Sequence, residues 1–189
     1  MNCLLLGGAG FIGSALGQRL ANENHHVTVI DNFSRGHRYA YNPPHGIDVI
    51  FQDVAHWRPA GGERWDWLFC LAGVVGVPNV ERDPARAWAV NTSVVLKALD
   101  IRAEKIFYAS TSEAYGVPAE IPTPETAPLQ LPNVTSPRVV YAASKIWGEL
   151  GFVHSGRPYV IGRFHNIYGP AMGTDHVIPK FCLQVKQGN

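Results

Sequence analysis

Residues 2–13 read NCLLLGGAGFIG, an apolar run that leads directly into a glycine-rich segment. The apolar run Asn2–Leu6 has the length of a buried strand, whereas Phe11–Glu23 carries apolar residues at helical spacing. A strand, a glycine turn and a helix in this order make the first half of a β-α-β unit. The segment therefore predicts the start of a parallel sheet.

The same alternation continues along the chain and predicts an α/β fold whose parallel sheet is covered on both faces. Further strands are predicted at Val27–Asp31, Asp48–Phe51, Trp67–Ala72, Lys105–Ser110 and Tyr159–Arg163. Further helices are predicted at Pro84–Arg102, Pro137–Val153 and Val177–Gly188. Asp83 and Ser136 each precede a proline and are expected to cap these helices. The proline-rich stretch Pro118–Pro137 is expected to be a functional or mobile loop.

Composition excludes several classes of protein. The 189 residues carry 16 Lys and Arg against 15 Asp and Glu, a formal net charge of +1. A nucleic-acid binder is not expected, because phosphate contacts require a basic surplus. With 46% hydrophobic and 16% charged residues, the chain is expected to form a packed core rather than to be disordered.

Cysteine usage favours a reducing, cytoplasmic location. Cys3, Cys70 and Cys182 are odd in number, far apart and in apolar stretches, which is unlike a disulfide framework. We expect no metal site, because the histidines show no paired ligand spacing. We expect no membrane span either, since no apolar run reaches about 18 residues.

The glycine segment has the pattern of a dinucleotide site. A pyrophosphate reaches the amides of a helix N-terminus only where side chains are absent, so Gly7 and Gly10 are expected to leave bare backbone. Gly13 is expected to let helix and strand pack closely. Asp31 ends the second strand about 20 residues on, where a carboxylate accepts hydrogen bonds from a ribose. Asp31 favours NAD over NADP, because a carboxylate would repel a 2′-phosphate, although Arg35 nearby could pair with one. The alternative interpretation of the glycine segment is a flexible surface loop.

Two polar motifs follow further along the chain. Tyr141 and Lys145 lie four residues apart on one face of the predicted helix, where a cation is expected to lower the pKa of the phenol. The spacing also arises by chance. Ser110–Gly116 reads STSEAYG after the fifth strand, at the sheet edge where ligands bind. There Thr111 could donate to a substrate oxygen and Glu113 could move a proton, or the segment is a capping and turn cluster.

Six segments in order, GGAGFIGS, DNFSRG, LAG, STSEAYG, YAASK and RFHNIYGP, resemble the extended short-chain dehydrogenase/reductase family. This family contains the NAD-dependent nucleotide-sugar epimerases, dehydratases and decarboxylases. The resemblance runs from Asn2 to about Pro179. It implies a Rossmann-type doubly wound sheet, with an NAD-binding domain at residues 1–165. Residues 166–189 would then begin a small substrate domain that is mostly missing, in either a fragment or a natural short form.

The resemblance also implies roles for individual residues. Tyr141 would be the catalytic base, with Lys145 as its electrostatic partner and Thr111 as the hydroxyl of the triad, and Glu113 would assist. Cofactor contacts are implied at Gly7, Gly10, Phe11, Ile12, Gly13, Asp31, Asn32, Asp53, Val54, Leu71, Ala72, Asn91, Ser110, Tyr141 and Lys145. Substrate contacts are implied at Ser112 and Asn166. Two alternatives stay open: Asp53 is a solvated carboxylate at a strand end, and Asn91 makes only a structural hydrogen bond.

By this resemblance, Tyr141 takes the proton of a sugar 4′-hydroxyl while hydride moves to the nicotinamide, and the transient ketone permits further chemistry. Ser112 stands where dehydratases usually carry aspartate, so dehydration is disfavoured. The HNIYGP segment favours an epimerase, with a uronic acid decarboxylase as the next alternative. An NAD-binding protein without turnover and an alcohol dehydrogenase that releases NADH also remain open. Dimers of the family pair the helices that here start at Pro84 and Pro137, so a homodimer is expected.

Overall fold

The computed structural model describes residues 1–35, 43, 45–170, 172–173 and 177–188. Within these residues six strands form one sheet: β1 (Asn2–Leu6), β2 (His26–Asp31), β3 (Ile47–Phe51), β4 (Trp65–Cys70), β5 (Ala103–Thr111) and β6 (Tyr159–Phe164). The α-helices are α1 (Phe11–Asn22), α2 (Val77–Arg82), α3 (Pro84–Asp100), α4 (Val139–Val153) and α5 (Val177–Gln187). A 3₁₀-helix spans Ser112–Tyr115.

The sheet has the order β3-β2-β1-β4-β5-β6 and every pair of neighbours is parallel. The chain proceeds from β1 outward to β3 and then returns to the other side of β1 with β4. A crevice forms where the direction of such a doubly wound sheet reverses, at the carboxyl ends of the strands. The predicted Rossmann-type fold is confirmed.

The core lies in two layers, one on each face of the sheet. Side chains of β1 alternate between the faces, as the pleat of a strand requires. One layer joins β1, β2, β4 and β5 to α3 and α4, and includes Leu4, Leu6, Ile30, Leu68, Val94, Val95, Ile106 and Phe152. The other joins β1 and β2 to α1, and includes Cys3, Leu5, Leu20, Val27, Val29 and Ile47. The central strand is therefore buried on both faces, and its position is fixed from both sides.

Of the two predicted helix caps, the one before α3 is present and the one before α4 is not. Asp83 caps α3 as expected, since its carboxylate accepts a hydrogen bond of 2.9 Å from the amide of Arg86. The cap predicted at Ser136 is wrong. The helix α4 begins at Val139, and its N-terminal flank is a tight turn in which the Val139 amide donates to the Ser136 carbonyl at 3.1 Å. The short helix α2 was not predicted.

The fourth strand was predicted at Trp67–Ala72, whereas β4 spans Trp65–Cys70, so the prediction lies two residues too far along the chain at both ends. The amides of Leu71 and Ala72 both donate to the carbonyl of Leu6, at 2.9 and 2.7 Å. Two donors on one acceptor end the regular ladder, so the chain turns across the end of β1 at this point. This turn lies at the carboxyl edge of the sheet, beside the end of β1.

None of the helices described is both long and apolar enough to cross a membrane. In the same part of the chain, no three or more His, Cys, Asp and Glu residues are grouped so that they could hold a metal ion. Cys3 and Cys70 are buried free thiols, whereas Cys182 is exposed.

Candidate cofactor and catalytic site

Gly7 forms a tight turn directly after β1. Its φ is +82°, in the region that favours glycine, and its amide donates to the carbonyl of Ile30 at 2.8 Å. A Cβ atom at Gly7 would lie 2.5 Å from the Cα and N atoms of Ala72. The end of β1 is thus packed directly against the chain leaving β4, and no larger residue fits.

Gly10 is the N-cap residue of α1, and it makes no side-chain capping hydrogen bond. Among the described residues, a Cβ there would meet only the carbonyl oxygen of Gly7, at 3.6 Å, so this part of the chain leaves the space in front of the helix open. Phe11 and Ile12 supply the first helical amides behind it. A bare helix N-terminus carries a partial positive charge and exposed N–H groups, which suit the pyrophosphate of a dinucleotide.

Gly13 is needed for a different contact from the one expected. A Cβ at this position would lie 2.6 Å from the Cα of Gly8 and 2.7 Å from the carbonyl oxygen of Gly7. At Gly13 the helix α1 therefore packs against the glycine turn that follows β1. No side chain fits at this position, and the nearest partner of the helix there is the turn rather than the strand itself.

Asp31 lies at the end of β2 beside the glycine turn. One carboxylate oxygen accepts a hydrogen bond of 3.0 Å from the amide of Ala9, and the other accepts one of 2.7 Å from the amide of Phe33. An ionised carboxylate has about four lone-pair sites, so two acceptor sites remain. Asp31 is fixed by backbone donors and can still accept the hydroxyls of a ribose. The glycine turn and Asp31 together fit the adenosine and pyrophosphate parts of NAD.

Asn32 and Asp53 join the ends of β2 and β3. The Asn32 amide donates to one oxygen of Asp53 at 2.8 Å, and the Ala55 amide donates to the other at 2.9 Å. Asp53 is therefore held in a defined position. Val54 is in the core, so only its backbone is left for a ligand. Contacts of Asn32, Asp53 and Val54 with NAD stay predictions.

Lys145 lies inside the protein on α4. Its ammonium donates to the carbonyl of Ala109 at 2.8 Å and lies 5.8 Å from the centre of the Tyr141 ring. Burial lowers its pKa from 10.5 to about 8, so the amine is still mostly protonated at neutral pH. The residue thus places a cation next to the phenol, as the sequence predicts.

Tyr141 is half-buried, with Thr111 and Glu113 close to it. Burial and, secondarily, the Glu113 carboxylate raise the pKa of its phenol, against smaller lowering effects from a Thr111 hydrogen bond and from Arg35. The expected lowering of this pKa is therefore wrong for the protein without ligand, because removal from water penalises the phenolate more than the surrounding groups favour it.

The remaining site residues differ in their surroundings. Glu113 is partly exposed, and its carboxylate lies 3.7 Å from the guanidinium of Arg138 at the start of α4. Ser112 is half-buried in the 3₁₀-helix, and Asn166 is exposed two residues beyond β6. The structure brings Thr111, Glu113, Tyr141 and Lys145 together. Roles for Ser112 and Asn166 stay predictions.

Asn91 is a buried amide on α3 with all of its groups used. Its oxygen accepts a hydrogen bond of 2.7 Å from the amide of Val74, and its nitrogen donates to the hydroxyl of Ser144 at 3.0 Å. Ser144 donates in turn to the carbonyl of Tyr141 at 2.8 Å. Asn91 therefore ties the chain after β4 to the turn of α4 that carries the tyrosine. A contact with NAD is a prediction beyond this structural role.

Sequence reasoning missed Ser144, Glu149 and Arg163. The hydroxyl of Ser110, predicted to contact the cofactor, donates to Glu149 within the protein, and Arg163 donates to both oxygens of the same carboxylate. A signal did exist. One carboxylate lies in the apolar segment IWGELGF and one guanidinium in the apolar strand YVIGRF, and a charge in such surroundings requires a partner.

Two consecutive residues, Ala72 and Gly73, connect the glycine turn to the part of the site that contains Lys145. Ala72 packs against Gly7, and a Cβ at the next residue, Gly73, would lie 3.8 Å from the Lys145 ammonium and 3.0 Å from the Asn91 oxygen. The glycine turn and the tyrosine–lysine pair therefore adjoin the same two residues, at the switch point of the sheet. This fold and this site define a Rossmann-type protein that binds a dinucleotide.

Comparison with known proteins gives the family. Residues 3–189 match the model of the NAD-dependent epimerase/dehydratase family. The chain belongs to this family, and NAD is its cofactor. The predicted membership of the extended short-chain dehydrogenases/reductases is confirmed.

Two relatives and one solved structure illustrate the similarity. The chain is 32% identical to a UDP-N-acetyl-alpha-D-glucosaminuronate decarboxylase of Bacillus cytotoxicus, covering 99% of this chain and 62% of that protein. It is also 32% identical to a UDP-glucose 4-epimerase of Corynebacterium glutamicum, covering 100% and 60%. The structure of UDP-N-acetylglucosamine 4-epimerase from Methanobrevibacter ruminantium M1, in complex with UDP-N-acetylmuramic acid, superposes with a TM-score of 0.82 at 28% identity, covering 100% and 63%. The chain thus spans about three fifths of the length of these proteins.

Proposed function

We propose that the chain is a nucleotide-sugar epimerase that acts through transient oxidation at C4′ of the sugar. The observation that carries the proposal is the chain leaving β4, where Ala72 contacts the glycine turn and the next residue, Gly73, lies beside Lys145. Relatives that act on UDP sugars favour a sugar linked to UDP. As part of the proposal, residues 1–165 bind the cofactor and residues 166–189 begin the substrate region, with Asn166 on the diphosphate.

In this proposal, different residues bind the cofactor and carry out the proton transfer. The first amides of α1 bind the pyrophosphate, and Asp31 holds the adenosine ribose. NAD, when bound, supplies a hydride acceptor for C4′ and a positive charge that favours the phenolate. The Lys145 cation stabilises the Tyr141 phenolate, which removes the proton from the 4′-hydroxyl. The neutral phenol formed in this way returns the proton to the oxygen when hydride returns to C4′. Thr111 donates a hydrogen bond to the reacting oxygen.

The experiment is to incubate the purified chain with NAD and a panel of UDP sugars and to analyse the products by NMR. We expect the 4′-epimer to form without accumulation of NADH. Tyr141→Phe should still bind NAD but turn over at least about 100-fold more slowly, because it lacks the acid–base group. NAD binding without conversion of any sugar would contradict the proposal, and net NADH release would indicate an alcohol dehydrogenase.

A uronic acid decarboxylase is the second candidate. The observation that favours it is the exposed guanidinium of Arg138, which lies beside Glu113 near Tyr141 and offers a partner for a substrate carboxylate. Release of CO₂ from UDP-glucuronic acid, with no epimer formed from the other sugars, would select this lyase activity over the isomerase.

We also propose that the protein is a cytoplasmic homodimer. Free thiols at Cys3, Cys70 and Cys182 support a reducing location. The helices α3 and α4 pack against each other and expose a set of large apolar side chains: Trp88, Leu96, Leu150 and Val153. A second copy that presents the same two helices would cover these side chains in a four-helix arrangement.

A further inference from the structure

An ion pair between a buried carboxylate and a partly buried guanidinium connects α4 to β6. Glu149 is only 3% exposed, and the guanidinium of Arg163 donates to its two oxygens at distances of 2.7 to 3.1 Å. The same guanidinium donates to the hydroxyl of Tyr115 and to the carbonyl of Glu125, each at 2.9 Å. The pair thus joins the catalytic helix to the 3₁₀-helix and to the proline-rich loop.

The pair also holds the end of β5. The hydroxyl of Ser110 donates to the Glu149 carboxylate at 2.5 Å, and Ser110 is itself buried. Its two neighbours both serve the site: the carbonyl of Ala109 accepts from Lys145, and Thr111 hydrogen-bonds Tyr141. One carboxylate therefore fixes the residue that lies between these two contacts.

Stability alone does not account for this arrangement. The cost of desolvating two charges offsets most of their attraction, and apolar residues of similar size commonly serve a core as well or better. A buried network with all of its members bonded does impose one geometry on the groups it connects. Here those groups are the backbone acceptor of Lys145 and the hydroxyl beside Tyr141.

We propose that Glu149 and Arg163 are positioning residues, which act through Ser110 to place Lys145 and Thr111 for the reaction. This inference rests on the proposed function. Among the described residues, neither member of the pair forms a hydrogen bond or ion pair with Lys145 or Tyr141, and the hydrogen-bonded connection runs through Ser110 and the backbone of β5.

Three variants of the full chain test the inference. Ser110→Ala cuts the connection but leaves Glu149 bonded to Arg163. The double variant Glu149→Met/Arg163→Met removes both charges together, so that no unpaired ion remains. The control is Arg157→Met, because Arg157 is another arginine that donates to two carbonyls, those of Leu99 and Ile101 at 2.6 Å each, at the far end of α3. For each variant we would measure melting temperature, NAD affinity by calorimetry, amide exchange by mass spectrometry, and kcat and KM.

For Ser110→Ala we expect only a small change in melting temperature, and faster amide exchange confined to residues 109–116. The Kd for NAD should rise about tenfold. The kcat should fall up to about 100-fold, at a nearly constant KM for the sugar. The double variant should show the same losses of affinity and kcat. Arg157→Met should lower the melting temperature and leave affinity and kcat unchanged.

Native NAD affinity and native kcat in both Ser110→Ala and the double variant would overturn the inference and leave the pair a purely structural element. The same holds if affinity and kcat merely follow melting temperature across all variants, including the control. If the native chain binds NAD but converts no sugar, the proposed function fails, whereas the comparison of NAD affinities still decides this inference.

Discussion

Burial shifts the pKa values of Tyr141 and Lys145 in opposite directions. Loss of water raises the pKa of the phenol and lowers that of the amine, because each loses hydration of its charged form. The neutral phenol and the ammonium therefore coexist at neutral pH in the protein without ligand. The site is set for proton transfer only when further positive charge reaches the phenol.

The phenol of Tyr141 should have the midpoint of its ionisation above pH 10 in the protein without NAD, since burial raises its pKa above the ordinary value of 10.0. The measurement is the tyrosinate absorbance of the native chain minus that of Tyr141→Phe across a pH titration. A difference curve with its midpoint well below pH 10 would show that Lys145 dominates over burial after all.

Lys145 should make stability depend on alkaline pH. Its pKa is about 8 in the folded protein and near 10.5 when exposed, so the unfolded chain binds more protons between these values. The contribution of Lys145 to the free energy of unfolding then increases as the pH rises from about 8 to 10.5. Relative to Lys145→Met, the native protein should gain roughly 3 kcal/mol over this range. Urea unfolding of both proteins measures the gain, and a pH-independent difference would contradict it.

Residues with local signals were predictable from the sequence, and residues defined by distant partners were not. Gly7 and Gly10 lie in the short turn after β1, and Asp31 is the last residue of β2, so the end of each strand gives their place. Glu149 and Ser110 are 39 positions apart, and only the folded sheet shows that they meet. The pKa of Tyr141 was predicted wrongly for a related reason, because spacing shows the cation but not the loss of water.

At the scale of elements, the turn between β1 and α1 contains two glycines with different roles. Gly7 has positive φ and lies against backbone, whereas Gly10 has a φ of −75° and faces open space. Gly7→Ala should therefore lower the free energy of unfolding by roughly 3 kcal/mol, from overpacking and left-handed strain.

Gly10→Ala serves as the matched variant. It should leave the melting temperature nearly unchanged and weaken NAD binding about tenfold or more, because its methyl group would stand in front of the helix N-terminus. Calorimetric titration with NAD and thermal melts measure both properties. Equal effects of the two variants on stability would refute the division of roles.

The starts of α3 and α4 show the limit of prediction for elements. Both segments place a polar residue before a proline, yet only Asp83 caps a helix. Arg86 follows Asp83 at the position where its amide meets the carboxylate, whereas the residues after Ser136 turn more tightly and delay the helix to Val139. A capping signal identifies a candidate residue, but the path of the preceding loop decides whether it is used.

At the scale of the whole molecule, the apolar surface of α3 and α4 predicts the assembly. The variant Leu96→Glu/Leu150→Glu should convert a dimer to a monomer, because the two side chains are 58% and 55% exposed and charges there would oppose burial. Val117→Glu, at an apolar residue that is 75% exposed in the loop after the 3₁₀-helix, is the control and should remain dimeric. Sedimentation velocity measures the outcome, and an unchanged mass for the double variant would place any interface elsewhere.

The junction of Leu6 and Gly7 makes the molecule intolerant of insertions at one point. The carbonyl of Leu6 binds the chain leaving β4, and the next amide, that of Gly7, binds the end of β2. One added residue there would misalign the two halves of the sheet with respect to each other, and no shift of a single loop would restore both. Protein engineers who wish to lengthen this chain, or to split it into complementing pieces, should avoid that peptide bond.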